Sequence, residues 1–204
     1  LGAAELCENH EQWDLALSYY QFALRSASQQ HNQYWLPAAA GRARVLAQQE
    51  DMLRLTQAYR DILRRLPREA AEDQAEFSLK LALVYQSLHK PKQAAACFET
   101  ALQHAETLLG TLINTSPDVD TAGLDTDHVW VRTLYFRAFF FVLAQQDNAA
   151  AVADFERIEA RLPGYAAYDL ACLAAQSGDT DAAFALLQTH RRSAYALPLE
   201  TLEI

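Results

Sequence analysis

Six histidines, three cysteines and a short acidic motif are the residues of this 204-residue chain whose types could support chemistry. The histidines, His10, His31, His89, His104, His128 and His190, are scattered, and none has the paired spacing that a zinc site needs. They read as solvated or helix-capping groups. Cys7, Cys97 and Cys172 are odd in number, widely separated and without a CxxC pair, which fits reduced, buried thiols better than a disulfide framework. No histidine lies one helical turn from Cys97 or Cys172 to activate a thiolate. Asp118-x-Asp120-x-x-Gly123 copies the first half of a calcium loop, but Ala122 and Val129 stand where the fifth and twelfth ligands belong. A solvated acidic loop is expected there. Asn114-Thr115-Ser116 has the form of a glycosylation sequon, with no sign of secretion beside it. The chain carries no G-x-S-x-G, P-loop, H-E-x-x-H or dinucleotide glycine pattern. No catalytic activity, metal or cofactor is expected, which leaves binding as the chemistry to consider.

Two clusters are candidates for it. Tyr135-Phe136-Arg137-Ala138-Phe139-Phe140-Phe141 has five aromatics in seven residues. At helical spacing these point around most of a helix. Either the helix is buried on two sides, or Phe136 and Phe140 line a ligand pocket with Arg137 as the anchor for a carboxylate or carbonyl. Arg54, Arg60, Arg64, Arg65 and Arg68 form the second cluster. Arg60 and Arg64 share a helical face, which reads as solvated surface or as a contact for an acidic partner.

Composition limits the class of protein. Net charge is −9, so an average surface of this chain repels a phosphate backbone, and nucleic-acid binding is not expected. The charge is uneven: residues 33–68 carry 7 basic and 3 acidic side chains, one basic segment inside an acidic chain. The longest apolar run, Ala138 to Ala144, is far short of the roughly 20 residues of a membrane span. Glu5, Glu8 and Glu11 are the wrong flank for a secretory leader, so a cytoplasmic protein is expected. There are 38 alanines against 6 Gly and 6 Pro, and 51% of residues are hydrophobic, which points to a packed helical protein.

The helices recur as a pattern. A small or apolar residue is followed by an aromatic or Leu four later and a small or apolar residue three after that. The triplets are Ala16/Tyr20/Ala23, Leu55/Tyr59/Ile62, Ala94/Phe98/Ala101, Ala151/Phe155/Ile158 and, more weakly, Ala183/Leu187/His190. Spacings of 4 and 3 put each triplet on one helical face. Upstream of each lies another apolar-periodic stretch behind a short polar turn, so the unit is an antiparallel helix pair. Leu81-Ala82-x-x-Tyr85 followed by Ala94, Phe98 and Ala101, with Pro67 and Pro163 closing earlier and later units, resembles the tetratricopeptide repeat (TPR) family. The triplets begin 39, 39, 57 and 32 residues apart, against 34 for the minimal unit.

That resemblance implies an all-α fold, a right-handed α-solenoid of about five antiparallel helix pairs. One domain is expected over 1–192, with pairs near 2–29, 35–66, 69–112, 127–162 and 165–192 and an inserted loop at 110–127. Residues 193–204 would cap the last pair or begin a further one. Helices are expected near 2–10, 12–29, 35–49, 51–66, 69–89, 91–112, 127–146, 148–162, 165–177 and 179–192. In this family the first helix of each pair lines a concave groove. Carried over position by position, the groove would show Ala40, Arg44, Ala47 and Gln48, then Leu79, Leu83 and Gln86, then Phe136, Phe140 and Leu143, and finally Tyr168 and Cys172. Arg44 and Arg137 would orient polar groups. The expected function is a non-catalytic scaffold that holds a partner peptide or helix. The alternative is a regulatory or sensor segment of a larger protein that binds a small ligand in the same groove. A protein or peptide partner is expected, and self-association is compatible with the pattern; nucleic acid and membrane are not expected.

Overall fold

The computed structural model describes residues 1–27, 32–115 and 126–196, and these form ten α-helices with no strand. They are α1 (Gly2–Asn9), α2 (Trp13–Ala27), α3 (Trp35–Gln48), α4 (Met52–Arg65), α5 (Ala71–Ser87), α6 (Pro91–Thr115), α7 (Val129–Phe140), α8 (Asn148–Glu159), α9 (Ala167–Gln176) and α10 (Thr180–Arg192). Three differ from the sequence expectation by three residues or more at one end, and of these α8 stops at Glu159, short of 162. α6 runs on to Thr115, so the inserted segment begins after the expected Gly110. The helix expected over 127–146 stops at Phe140 and widens into a π turn over Phe141–Gln145. His31, the calcium-like motif at 118–123, Ser116 of the sequon and the tail at 197–204 lie outside the described residues. Among the described residues, no helix is long and apolar enough to cross a membrane.

One backbone device repeats at every turn within a pair. Glu11, Glu50, His89, Gln146 and Gly178 all have positive φ, and they stand 39, 39, 57 and 32 residues apart, the same intervals as the sequence triplets. A residue in the left-handed region reverses the chain at a helix C-terminus. In three of these turns an Asp follows at once and caps the next helix: Asp51 accepts from the Arg54 N–H, Asp147 from Ala150 and Asp179 from Ala182.

The chain divides into two compact units, Leu1–Cys97 and Phe98–Ile204. The first is built on Leu17, Tyr20, Trp35, Leu46, Tyr59, Ile62 and Phe77, with Ala4, Ala16, Ala38 and Ala43 buried at the helix crossings. The tightest crossing is that of α2 on α3. Tyr20 is fully buried, and a Cβ on Gly41 would overlap its ring at Cζ and Cε1. The Tyr20 hydroxyl donates to Glu8 Oε2 at 2.6 Å, and Arg44 Nε donates to Glu8 Oε1 at 3.0 Å, so α1, α2 and α3 are joined through one carboxylate. Burial pushes the Glu8 carboxyl up, but the Arg44 and Tyr20 hydrogen bonds outweigh it and hold the group below its usual range.

The second unit packs Phe98, Trp130, Leu134, Phe140, Phe155 and Ile158 around a buried ion pair. Arg137 Nε and Nη2 donate to the two oxygens of Asp154 at 2.7 and 2.6 Å, and Nη1 donates to Glu99 at 2.5 Å. Asp154 is 2% exposed. The bidentate geometry is what makes so dry a pair tolerable. Arg137 was expected to anchor a ligand carboxylate; its carboxylate is internal. The three cysteines are unpaired thiols, Cys7 buried, Cys97 half-buried and Cys172 exposed, so the third departs from the expected burial.

Two stability tests follow from these contacts. Gly41→Ala gains about 0.5–1 kcal/mol in helix propensity, but overpacking at Tyr20 costs about 1–3 kcal/mol. Net destabilisation in chemical denaturation is therefore expected. Arg137→Met should cost about 3–5 kcal/mol by stranding Asp154, whereas the double variant Arg137→Met/Asp154→Leu should recover much of it. A single variant as stable as the parent would remove the pair from the core account.

Candidate functional site

The groove positions of the first unit separate into two groups. On α3, Arg44, Ala47 and Gln48 are exposed and Ala40 is half-buried, but Arg44 is already engaged by Glu8. On α5, Leu83 and Gln86 are half-buried, while Leu79 is fully buried and leaves the candidate set. The reason is the circumference of α5. Ala75, Phe77, Ser78, Leu79, Leu81, Ala82 and Val84 are all buried, so this helix is covered on more than one side and its pattern has no clean outer stripe.

In the second unit, Phe136 is 37% exposed on α7 and Tyr168 is 53% exposed on α9, the first helices of two successive pairs. Leu143 and Cys172 are exposed as well. Phe140 is fully buried, with its ring centroid 5.3 Å from that of Phe98. It shares a helical face with Phe136 by spacing, yet α6 covers that face one turn further on. Phe140 and Arg137 are therefore core residues, and of the candidate groove positions the exposed aromatics are Phe136 and Tyr168.

Between those two lies a cluster that sequence spacing did not reveal. Tyr135 packs against Phe136, Phe139, Phe155 and Tyr165 at ring separations of 6.3, 5.0, 5.7 and 5.7 Å. Its hydroxyl donates to the Asp169 carboxylate, which links α7 to α9. Burial, together with Asp169, pushes the Tyr135 phenol up to about 12. Tyr165 stacks edge-on against Tyr195 at 5.1 Å, and Tyr168 lies 5.9 Å from the His190 ring, whose Nδ1 is 3.0 Å from the Gly164 carbonyl. Asp169 is easily overlooked in the sequence, because an acid in the first turn of a helix reads as a partner of the helix dipole. Chemically the patch offers aromatic faces around one half-buried carboxylate. Among the described residues, no three His, Cys, Asp or Glu side chains come together as a metal site.

Burial raises the Asp169 carboxyl above its ordinary 3.8, against the opposing pull of Tyr135 and His190. A raised acid binds its proton more tightly in the folded state, so its ionisation lowers stability as pH rises through the window above 3.8. Asp169→Asn removes that ionisation. The variant should gain stability relative to the parent between pH 4 and pH 7, as read from paired thermal melts across that range, and a difference that does not change with pH would contradict the assignment.

No protein-family model and no curated protein sequence matches the chain. Solved structures do. BtubC from P. vanneervenii superposes with a TM-score of 0.73 at 17% identity, covering 93% of this chain and 76% of that one. MamA superposes at 0.65 and 10% identity, covering 92% and 91%. A Podosopora anserina protein of kinesin-light-chain type, with nearly identical TPR-like repeats, superposes at 0.63 and 15% identity, covering 98% and 94%. At these identities the likeness speaks to fold alone. The chain has an all-α, TPR-like helical-repeat fold.

Proposed function

We propose that the protein is a non-catalytic interaction module that holds a segment of a protein partner against α7 and α9. The observation that carries this reading is the exposure of Phe136 and Tyr168 on the first helices of successive pairs, on either side of the Tyr135–Asp169 bond. Large aromatics held out of the core by a packed base are the residue type that dominates binding energy at interfaces. The half-buried Asp169 carboxylate, next in sequence to Tyr168, suits a backbone amide or a basic side chain of the partner. A TPR-like fold, widely used for protein binding, is compatible with this reading, and the −9 net charge favours a partner that is not acidic overall.

The test is selection of binding peptides from a random displayed library on the full chain, followed by affinity measurement on Phe136→Ala/Tyr168→Ala. The double variant should keep its helical circular dichroism with at most a modest fall in melting temperature, because Tyr168 is more than half exposed and Phe136 rests only on the outer side of Tyr135. Loss of two exposed anchors should weaken the selected peptides by about 2 kcal/mol or more, on the order of thirtyfold in Kd. Unchanged affinity would move the binding surface away from this patch.

A further inference from the structure

Arg42, Arg64 and Arg65 of the basic segment line a cavity together with Arg25. Between α2, α3 and α4 lies a space of about 470 Å³, within the roughly 300–1,000 Å³ range of small-molecule sites. Its apolar lining is Leu24, Trp35, Ala39, Ala58 and Ile62. Its polar lining is unlike the rest of this acidic chain. Arg64 is paired with Asp61, the one carboxylate among the lining residues. Arg65 is stacked over the Trp35 ring, with its guanidinium carbon 5.3 Å from the centroid. A stacked guanidinium is fixed in plane and keeps its edge N–H donors available for an oxyanion. Arg42 Nε is buried and has no hydrogen-bond partner. A buried charged donor without an acceptor is costly, so an anion that draws the Arg42 side chain towards the cavity would relieve it.

The chain supplies its own comparison. At the equivalent place in the second unit, between α6, α7 and α8, Arg157 and Arg161 lie 5.7 Å from the Trp130 ring. There Glu106 pairs with Arg157, and the fully buried Ala138 stands where the repeat phase puts Arg42. The Trp–Arg stack thus recurs as architecture; the buried donor without a partner is a neutral indole N–H in the second unit, Trp130 Nε1, and a cationic guanidinium N–H in the first, Arg42 Nε.

We propose that the α2/α3/α4 cavity binds a small anion carried on a flat apolar body, an aryl carboxylate or aryl phosphate. Its oxyanion takes hydrogen bonds from Arg42 and Arg65, and its ring lies on the Leu24, Ala39 and Ile62 floor. This site is separate from the α7/α9 patch and does not depend on the function proposed for it.

The test is titration of the ¹⁵N-labelled full chain with phenyl phosphate, 1-naphthoate, inorganic phosphate and benzyl alcohol, following the Arg42 Nε–H and Trp35 indole N–H resonances. At least one aryl anion should shift both signals saturably with a Kd below about 1 mM. Which of the two binds more tightly distinguishes phosphate from carboxylate. Inorganic phosphate and benzyl alcohol should each bind about tenfold more weakly or worse, and Arg42→Gln/Arg65→Gln should weaken the aryl anion at least as much. Should that double variant unfold, Arg65→Gln alone, at an exposed position, carries the same decision. Benzyl alcohol or inorganic phosphate binding as tightly as the aryl anion, an unaffected arginine variant, or no shift up to about 10 mM would each overturn the proposal.

Discussion

Close approach of helices at small residues is the constraint on which the rest of this structure depends. Ala16, Ala94 and Ala151 have no exposed surface, and each precedes by one turn an aromatic that fills the space beside the crossing: Tyr20, Phe98 and Phe155, all at most 1% exposed. Interiors packed to near-crystalline density leave no slack for a larger residue there. Gly41 is the extreme case, where even a methyl group would meet the Tyr20 ring. Because each pair buries its apolar face mainly on its neighbours, local packing of this kind is sufficient to build the array. The weakest triplet in the sequence is also the least buried, since Leu187 is 39% exposed on α10.

Charge plays a second, more selective part. Two arginines that look alike in the sequence have different fates. Arg44 stays exposed and joins three helices through Glu8, an arrangement that solvent screens and that contributes modestly. Arg137 is taken into the second unit's core, where Asp154 accepts from it on both oxygens. Burial makes the second pair an all-or-nothing element, because neither partner is tolerable alone. Arg64 and Arg65 of α4 occupy a third environment, around a cavity in which the Arg65 guanidinium is stacked on Trp35.

Function then rests on the residues the core does not consume. In α7, Trp130, Val131, Thr133, Leu134, Arg137, Ala138 and Phe140 are buried, which leaves Phe136 as the outward aromatic. In α9 the same division leaves Tyr168 and Cys172. The Tyr135–Asp169 bond joins the two helices behind these residues, so the exposed rings stand on a fixed base. Rigid aromatics of this kind lose little entropy on binding.

The sequence by itself determined the helices, their pairing and the phase of the repeat. The 39, 39, 57 and 32 spacing of the triplets reappears in the positive-φ residues from Glu11 to Gly178, because both follow from local geometry: side chains one turn apart share a face, and a helix must reverse before the next begins. Only the tertiary structure decided which residues on a face meet solvent. Phe136 and Phe140, or Leu79 and Leu83, are equivalent by spacing, yet Phe140 lies under Phe98 and Leu79 inside a helix covered on more than one side. Nor did spacing show that the Arg137 acceptor is Asp154, 17 residues away, or that Asp169 lies behind the aromatics. Periodicity reports a residue's angle around its own helix. Burial and pairing depend on what the neighbouring helices bring to that angle, and that is fixed only when they pack.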